Sequence, residues 1–553
     1  MANVSAARHR LTNGTTRELR ILILASSLAT VFEWYDFYLY GLLAATIGSV
    51  FFSAANPTAR YIFALLSLAA GFALRPLGAL VFGRIGDLAG RKYALLITIT
   101  IMGWSTFVVG LLPGYAAIGL AAPVTLIVLR LLQGLALGGE YGGAAIYVAE
   151  HAPHGKRGLF TSWVQTTSTL GLFLALLVIL GCQQWINAKS FTAWGWRIPF
   201  LLSIILLAIS VYIRLRLNES PLFQRMKAED RGSRAPLTES FAERGNLKIV
   251  LIALFGATAG QGVVWYCGQF YALFFLTQTL KIDPKTAILM VAAALAIGTP
   301  GFILFGWLSD RFGRKPIIML GCLLAVITYL PLFKAITHYG NPALEAAIVS
   351  ARAVVVADPD ECSLQINPVG MLKLTSSCDV AKSALVAYGV PYGNKAAPPG
   401  SVAHIAIGQT AIASYYAKTP DAAAKAAAFS KALGDALKTA GYPATADPAR
   451  INHAMVIALL VILVIFVTLV YGPIAAMLVE LFPTRIRYTS VSLPYHIGNG
   501  WFGGFLPAIA FAIVAATGNI YNGLWYPIAI AAMTLVIGVL FLRETKDVDI
   551  RAG

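Results

Sequence analysis

Twelve stretches of predominantly apolar residues, each near the roughly 20 residues a helix needs to cross a bilayer, divide this chain, and no other feature restricts its fold as severely. They run at about 21–48, 60–83, 93–112, 124–148, 159–182, 197–215, 249–279, 286–308, 316–336, 454–480, 488–516 and 520–542. Backbone groups inside hydrocarbon must be satisfied within their own segment, so each stretch is read as a helix and the chain as an all-α polytopic membrane protein. Only 12% of the 553 residues are charged and 58% are hydrophobic, which excludes a soluble enzyme, a nucleic-acid-binding protein and a disordered chain. The first stretch is too long and too weakly flanked for a cleaved signal and is read as retained.

The net charge of +17 is explained by where the charges lie. Of 42 Lys and Arg, 25 fall in the seven segments that share one side, 6 in the short loops of the other, 9 in a long insert, and 2, Arg75 and Arg130, inside spans. The positive-inside rule therefore places both termini in the cytoplasm and the insert in the periplasm of an inner membrane. The basic excess reads as topology and attraction to anionic lipid, not as a nucleic-acid site.

The chain repeats itself. GRIGDLAGRK from Gly83 and GWLSDRFGRK from Gly306 share Gly, Asp, Gly, Arg and Lys at an offset of 223, and EHAPHGKR from Glu150 echoes ELFPTRIR from Glu480 at an offset of 330. The offset grows by 107, close to the length of the insert. The reading is thus an N-terminal segment 1–20, a six-helix bundle 21–216, a cytoplasmic linker 217–247, a second bundle 248–336 with 453–543, an insert 337–452 and a tail 544–553. Halves of this kind, with a site at their interface near the midplane, suit alternating access.

The insert carries 9 basic and 8 acidic residues and is soluble in composition. A helix is expected at about 420–440, with Thr419 as N-cap, Pro420 at its first position, Asp421 paired with Lys425 and Gly441 at its stop. A strand at 353–357 and a helix near 379–388 complete a small mixed domain. Cys362 and Cys378 lie in it, on the side where disulfides persist, and are candidates for a bond whose geometry the sequence does not fix. Cys182, Cys267 and Cys322 read as packing residues.

The loops around Asp87 and Asp310 resemble the signature of the major facilitator superfamily. More specific strings, EWYDFYLYG from Glu33, RLLQGLALGGEYGG from Arg130, TSWVQTTSTLG from Thr161 and SLPYHIGNGWFGG from Ser492, resemble its metabolite:proton symporters, which carry ketoglutarate, citrate, shikimate, or proline and betaine. The resemblance covers all twelve spans and implies the major facilitator fold of two pseudo-symmetric six-helix bundles, but not the insert between helices 9 and 10. It further implies that Asp87, Arg91, Asp310 and Arg314 control gating, with Glu150, Arg157, Glu480 and Arg487 as partners, and that none of these touches substrate.

Ionisable groups inside hydrocarbon are costly and mark function by default. Once loops are removed, Glu33, Asp36, Arg75, Arg130 and Glu140 remain, all in the first half. Glu33, Asp36 and Tyr40 share a helix face, and Arg75 lies near the depth of Asp36, so an Asp36 to Arg75 contact is expected. Read structurally, the five charges form a fixed network holding the first helices together. Read functionally, three carboxylates against two guanidiniums leave one carboxylate free to carry a proton, with Asp36 and Glu33 first and Glu140 behind them. Arg75 and Arg130 present forks that match a substrate carboxylate.

The second half adds neutral groups. Gln261, Trp265 and Gln269 recur at four-residue spacing with Tyr266 and Tyr271 nearby, His496 and Asn499 are three apart, and Ser162, Gln165 and Thr169 share a face of the fifth span. Interhelical bonding and aromatic packing are the plain readings; lining a substrate cavity is the functional one. His496 lies well inside a span and is read either as a hydrogen-bonded interior histidine or as a proton relay. No metal-ligand spacing, P-loop or nucleophile elbow occurs, so neither cofactor, metal nor enzymatic activity is expected.

The expectation is a monomeric proton-coupled symporter importing a di- or tricarboxylate or keto acid. Its alternatives are uptake of a zwitterion such as proline or betaine, for which Trp265, Tyr266 and Tyr271 would supply an aromatic cage, and a receptor sensing through the insert, whose partner the sequence does not name.

Overall fold

The computed structural model describes residues 16–52, 57–216, 218–363 and 375–550; part of the expected N-terminal segment, the last residues of the tail and part of the insert lie outside them. Twelve long helices are present among the described residues. They are α1 (Thr16–Leu42, continued as Ala44–Phe51), α2 (Pro57–Leu88), α3 (Arg91–Leu111), α4 (Ala121–His151), α5 (Arg157–Trp185), α6 (Phe191–Arg216), α7 (Arg244–Thr279), α8 (Pro284–Phe312), α9 (Arg314–Gly340), α10 (His453–Leu481), α11 (Arg487–Thr517) and α12 (Asn522–Phe541). Large apolar side chains such as Leu177, 70% exposed, and Leu540 cover the outside, as a lipid-facing surface requires. The linker forms two short helices, Pro221–Ala228 and Pro236–Phe241.

Small residues set the closest packing. A Cβ on Gly134 of α4 would fall on the backbone of Gly71 of α2, so these helices meet main chain to main chain. That approach brings Arg75 and Arg130, on facing helices, into the interior. Pro76 has no N–H for the Phe72 carbonyl, which instead faces Gly500 of α11. Two helices are irregular where they line the interface between the halves. α7 widens into π-turns at Leu254–Thr258, Cys267–Tyr271 and Phe275–Thr279, and α11 at Ile497–Gly503. Such bulges are frequent at functional sites.

Between α9 and α10 the chain leaves the bundle. A helix Pro342–Ser350 leads to a four-stranded sheet of order β2-β1-β3-β4, with β1 Ala353–Ala357, β2 Tyr392–Ala396, β3 His404–Ile407 and β4 Thr410–Ala413. β1 pairs parallel with β2 and antiparallel with β3, and the helices Ser377–Ala387 and Ala422–Thr439 complete the domain. The last helix begins two residues later than expected: Pro420 precedes it, and the Thr419 hydroxyl bonds the Tyr416 carbonyl instead of capping. Asp421 does pair with Lys425 at 2.9 Å, and Gly441 takes the positive φ of 84° that stops the helix. The insert docks on the second bundle. The Tyr392 N–H donates to the Gly518 carbonyl at 2.7 Å, Lys281 Nζ to the Ala387 carbonyl at 2.9 Å, and the Ala446 N–H to the Lys281 carbonyl at 3.0 Å.

Cys362 and Cys378 are bonded to each other, while Cys182, Cys267 and Cys322 are free. Thiol titration of the unfolded chain is therefore expected to count three thiols before reduction and five after; five without reductant would remove the disulfide.

Candidate functional site at the interface of the two bundles

The repeated loops close one face of the interface, here termed the latch face, with a reciprocal contact. The Asp87 carboxylate, at the end of α2, accepts the N–H groups of Tyr488 (3.1 Å) and Thr489 (2.9 Å) in the first turn of α11. Asp310, at the end of α8, accepts those of Gly158 (2.9 Å) and Leu159 (2.8 Å) in the first turn of α5. Each bundle thus caps a helix of the other, using N–H groups that have no partner within their own helix and a dipole that favours an anion. Arg91 and Arg314 hold these carboxylates at 3.3 and 2.8 Å. Arg487 reaches Glu150 at 2.7 Å, with Arg91 3.9 Å from the same residue, while Arg157 and Arg314 reach Glu480 at 3.3 and 3.1 Å. All eight residues singled out from the two repeats meet here.

Sequence reasoning missed one further pair in this network. Glu219 accepts the Lys92 N–H at 3.1 Å at the start of α3, and Glu544 accepts those of Arg314 and Lys315 at 2.9 and 3.0 Å at the start of α9. Their neighbours Ser220 and Thr545 bond Glu150 and Glu480. The signal was available, since Glu-Ser and Glu-Thr recur at a separation of 325.

Deeper in the interface, on the latch side, Tyr141 of α4 stacks on Tyr495 of α11 with centroids 3.6 Å apart, and the Tyr471 and Tyr495 hydroxyls lie 2.8 Å apart. Gln165 Nε2 donates to the Tyr141 hydroxyl at 2.7 Å. On the insert side, Trp34, Phe37 and Tyr38 of α1 and Phe72 of α2 meet Trp265, Tyr266 and Phe270 of α7. Trp34 lies 5.2 Å from Trp265, Phe37 5.4 Å from Phe270 and Phe72 5.9 Å from Tyr266. Tyr271, expected in the same cage, turns away to pack on Phe275, Phe333 and Phe511. The π-turn between Trp265 and Tyr271 shifts the angular spacing from that of a regular helix.

The charges lie among the helices of the first bundle, with pairings that differ from those expected. Asp36 contacts Arg130 at 3.8 Å, not Arg75, and the Arg130 guanidinium lies 3.6 Å over the Tyr40 ring. Glu140 pairs with Arg214, a sixth buried charge that also donates to the Leu95 carbonyl at 2.6 Å, and Thr98 donates to Glu140 at 2.7 Å. Arg214 stands at the basic end of α6, where sequence alone reads it as part of the loop. Two charges remain. Glu33 is buried, with Oε2 lacking a hydrogen-bond partner, and Arg75 is buried over the Phe72 ring with Nε unpartnered; neither has an ion pair within 4 Å among the described residues. Among the neutral candidates, Gln261 and Asn499 bond each other reciprocally at 2.8 and 3.2 Å, and Gln269 accepts from the Tyr38 hydroxyl at 3.2 Å. Ser162 bonds its own helix, and Thr169 accepts from Thr299 at 2.9 Å. Trp265 Nε1 and both ring nitrogens of His496 are buried without partners, so His496 is not the hydrogen-bonded interior histidine of the plainer reading.

A family description for sugar (and other) transporters matches residues 22–248, and one for MFS/sugar transport proteins matches residues 143–357. The alpha-ketoglutarate permease of Escherichia coli (strain K12) is 32% identical over 351 residues, 64% of this chain and 80% of that protein. The chain belongs to the major facilitator superfamily, among its metabolite permeases. The proline/betaine transporter of Salmonella typhimurium is 38% identical over 324 residues, 57% of this chain, and the chain spans 64% of that relative's length. A structure of the proton:xylose symporter XylE superposes with a TM-score of 0.63 at 15% identity, covering 96% of this chain and 98% of that one; at that identity the likeness is one of fold alone. These relatives of the superfamily member are transporters, not enzymes.

The Glu140–Arg214 pair yields a stability test. Arg214→Gln strands a buried carboxylate, with an expected cost of about 3–5 kcal/mol, read as a lowered thermal midpoint in detergent. Adding Glu140→Gln should recover most of the loss. A single variant as stable as the parent would count against the pair.

Proposed function

We propose that this superfamily member is a proton-coupled transporter that imports a small metabolite bearing one carboxylate, most favourably a zwitterion. The observation that carries the reading is the charge inventory of the interface. Asp36 is engaged by Arg130 and Glu140 by Arg214, which leaves one guanidinium, Arg75, and one carboxylate, Glu33. One free fork suits one substrate carboxylate. The wall beside it, Trp34, Phe37, Trp265, Tyr266 and Phe270, suits a cationic or apolar body. In this reading Glu33 carries the proton and Asp36 holds Arg130 in place, while Tyr40, Gln165, Gln261, Gln269 and Asn499 shape the cavity. The latch residues open and close its cytoplasmic side, the side given to the latch face by the 25 basic residues of its segments. The insert then lies in the periplasm.

The names of relatives support the same class, since one carries proline and betaine by name. The dicarboxylate reading keeps one specific support. Nε and Nη2 of Arg130 have no partner, so release of Asp36 would supply a second fork, and one relative is a ketoglutarate permease.

The test is external alkalinisation around proteoliposomes on adding proline, betaine, ketoglutarate, citrate or shikimate. A response to proline or betaine is expected; a response confined to ketoglutarate or citrate would transfer the role to both arginines, and silence to all would overturn the reading. Arg75→Lys should raise KM by about 10-fold or more, a loss of about 1.4 kcal/mol, and an unchanged KM would remove Arg75 from the site. Glu33→Gln should abolish gradient-driven accumulation while sparing substrate counterflow, and retained accumulation would return the proton to Asp36.

A further inference from the structure

α11 has a feature that the transport reading leaves unused. His496 is 1% exposed with both ring nitrogens unpartnered, and the hydroxyl of Ser492, one turn nearer the latch, is also buried without a partner. Buried polar side chains ordinarily find partners, and a histidine with neither nitrogen engaged is exceptional. The two residues share a helix face with each other, and that face looks onto the first bundle. Ser492 lies against Gly142 of α4, and Gly500, one turn beyond His496, lies beside the Arg75 side chain and the Phe72 carbonyl. One turn below Ser492, the Thr489 N–H rests on Asp87. Seven residues of helix, about 10 Å, therefore join His496 to the latch, and one further turn reaches the level of Arg75.

The charges facing this stripe give it a condition. Arg75 lies beside Gly500, one turn from His496, and the Tyr495 ring meets His496 edge-on at 5.1 Å. While Glu33 holds its proton, a second positive charge beside the Arg75 guanidinium is repelled. A substrate carboxylate on Arg75 cancels that repulsion.

We propose, building on the transport reading above, that His496 and Ser492 form the exit for the coupled proton and that it opens only when substrate occupies Arg75. Glu33 releases its proton to one ring nitrogen of His496, the other nitrogen gives up its own toward Ser492, and water at the Asp87 end of α11 receives it. One proton enters from the insert side and one leaves at the latch, with no other bond made or broken. The empty carrier does not leak, because the Arg75 guanidinium repels an incoming proton.

The experiment uses the full-length chain in proteoliposomes and whichever of proline, betaine, ketoglutarate, citrate or shikimate the unmodified protein transports. His496→Gln should keep substrate counterflow within about 2-fold while lowering substrate-induced alkalinisation and accumulation by about 10-fold or more. Ser492→Ala should give the same split, smaller in size. Alkalinisation unchanged in both variants overturns the proposal. So does counterflow and accumulation falling together in a His496→Gln protein that remains monodisperse, which would make His496 a packing or substrate contact. If the unmodified protein answers none of the probes, the transport reading fails first and the exit falls with it.

Discussion

A carboxylate of one bundle seated on the open N–H groups of a helix of the other is the contact on which the rest of this structure depends. Asp87 on α11 and Asp310 on α5 are related by the repeat, and each is backed by an arginine one helical turn on. Because the donors are backbone N–H groups at helix starts, the contact fixes axial register as well as distance. α2 is set against α11 and α8 against α5, and Arg75 comes to lie beside Gly500. Breaking two such caps and re-forming them is a change between discrete arrangements, which is what a rocking carrier needs.

Between the latch and the aromatic layer the molecule settles its electrostatic account helix by helix. Asp36 meets Arg130 and Glu140 meets Arg214, each pair joining helices of the first bundle. Pairs of this kind are expensive to strand in a low-dielectric interior. What stays available is what they leave behind: one carboxylate, one guanidinium and a histidine on the facing bundle. In the proposed function, a site with one fork and an aromatic wall takes small molecules of balanced charge.

The insert is attached differently. Its hydrogen bonds run to the second bundle, at the ends of α7 and α11, two helices that carry π-turns and second-half candidate side chains. The domain is thereby carried on helices that pack against the first bundle at the interface.

Much of this was legible in the sequence. Twenty-residue apolar stretches dictate helices because hydrocarbon offers backbone groups no other partner, and the two repeats mark equivalent helix ends because the same capping problem recurs in each half. The five central charges stood out for the same reason of cost. Partner choice did not, because it depends on which helix faces which. The glycines that let α2 and α4 touch, the π-turns that rotate Tyr271 out of the cage, and the approach of Arg214 from the end of α6 are products of packing between segments far apart in the chain. The sequence by itself determined the spans, the repeat, the latch residues and the kinds of charge in the membrane, since each follows from local hydropathy or from a repeated string. Only the tertiary structure decided that Glu33 and Arg75, not Asp36 and Arg130, are left without an ion pair within 4 Å among the described residues, because an ion pair is settled by distance across helices and sequence spacing reports distance only within one.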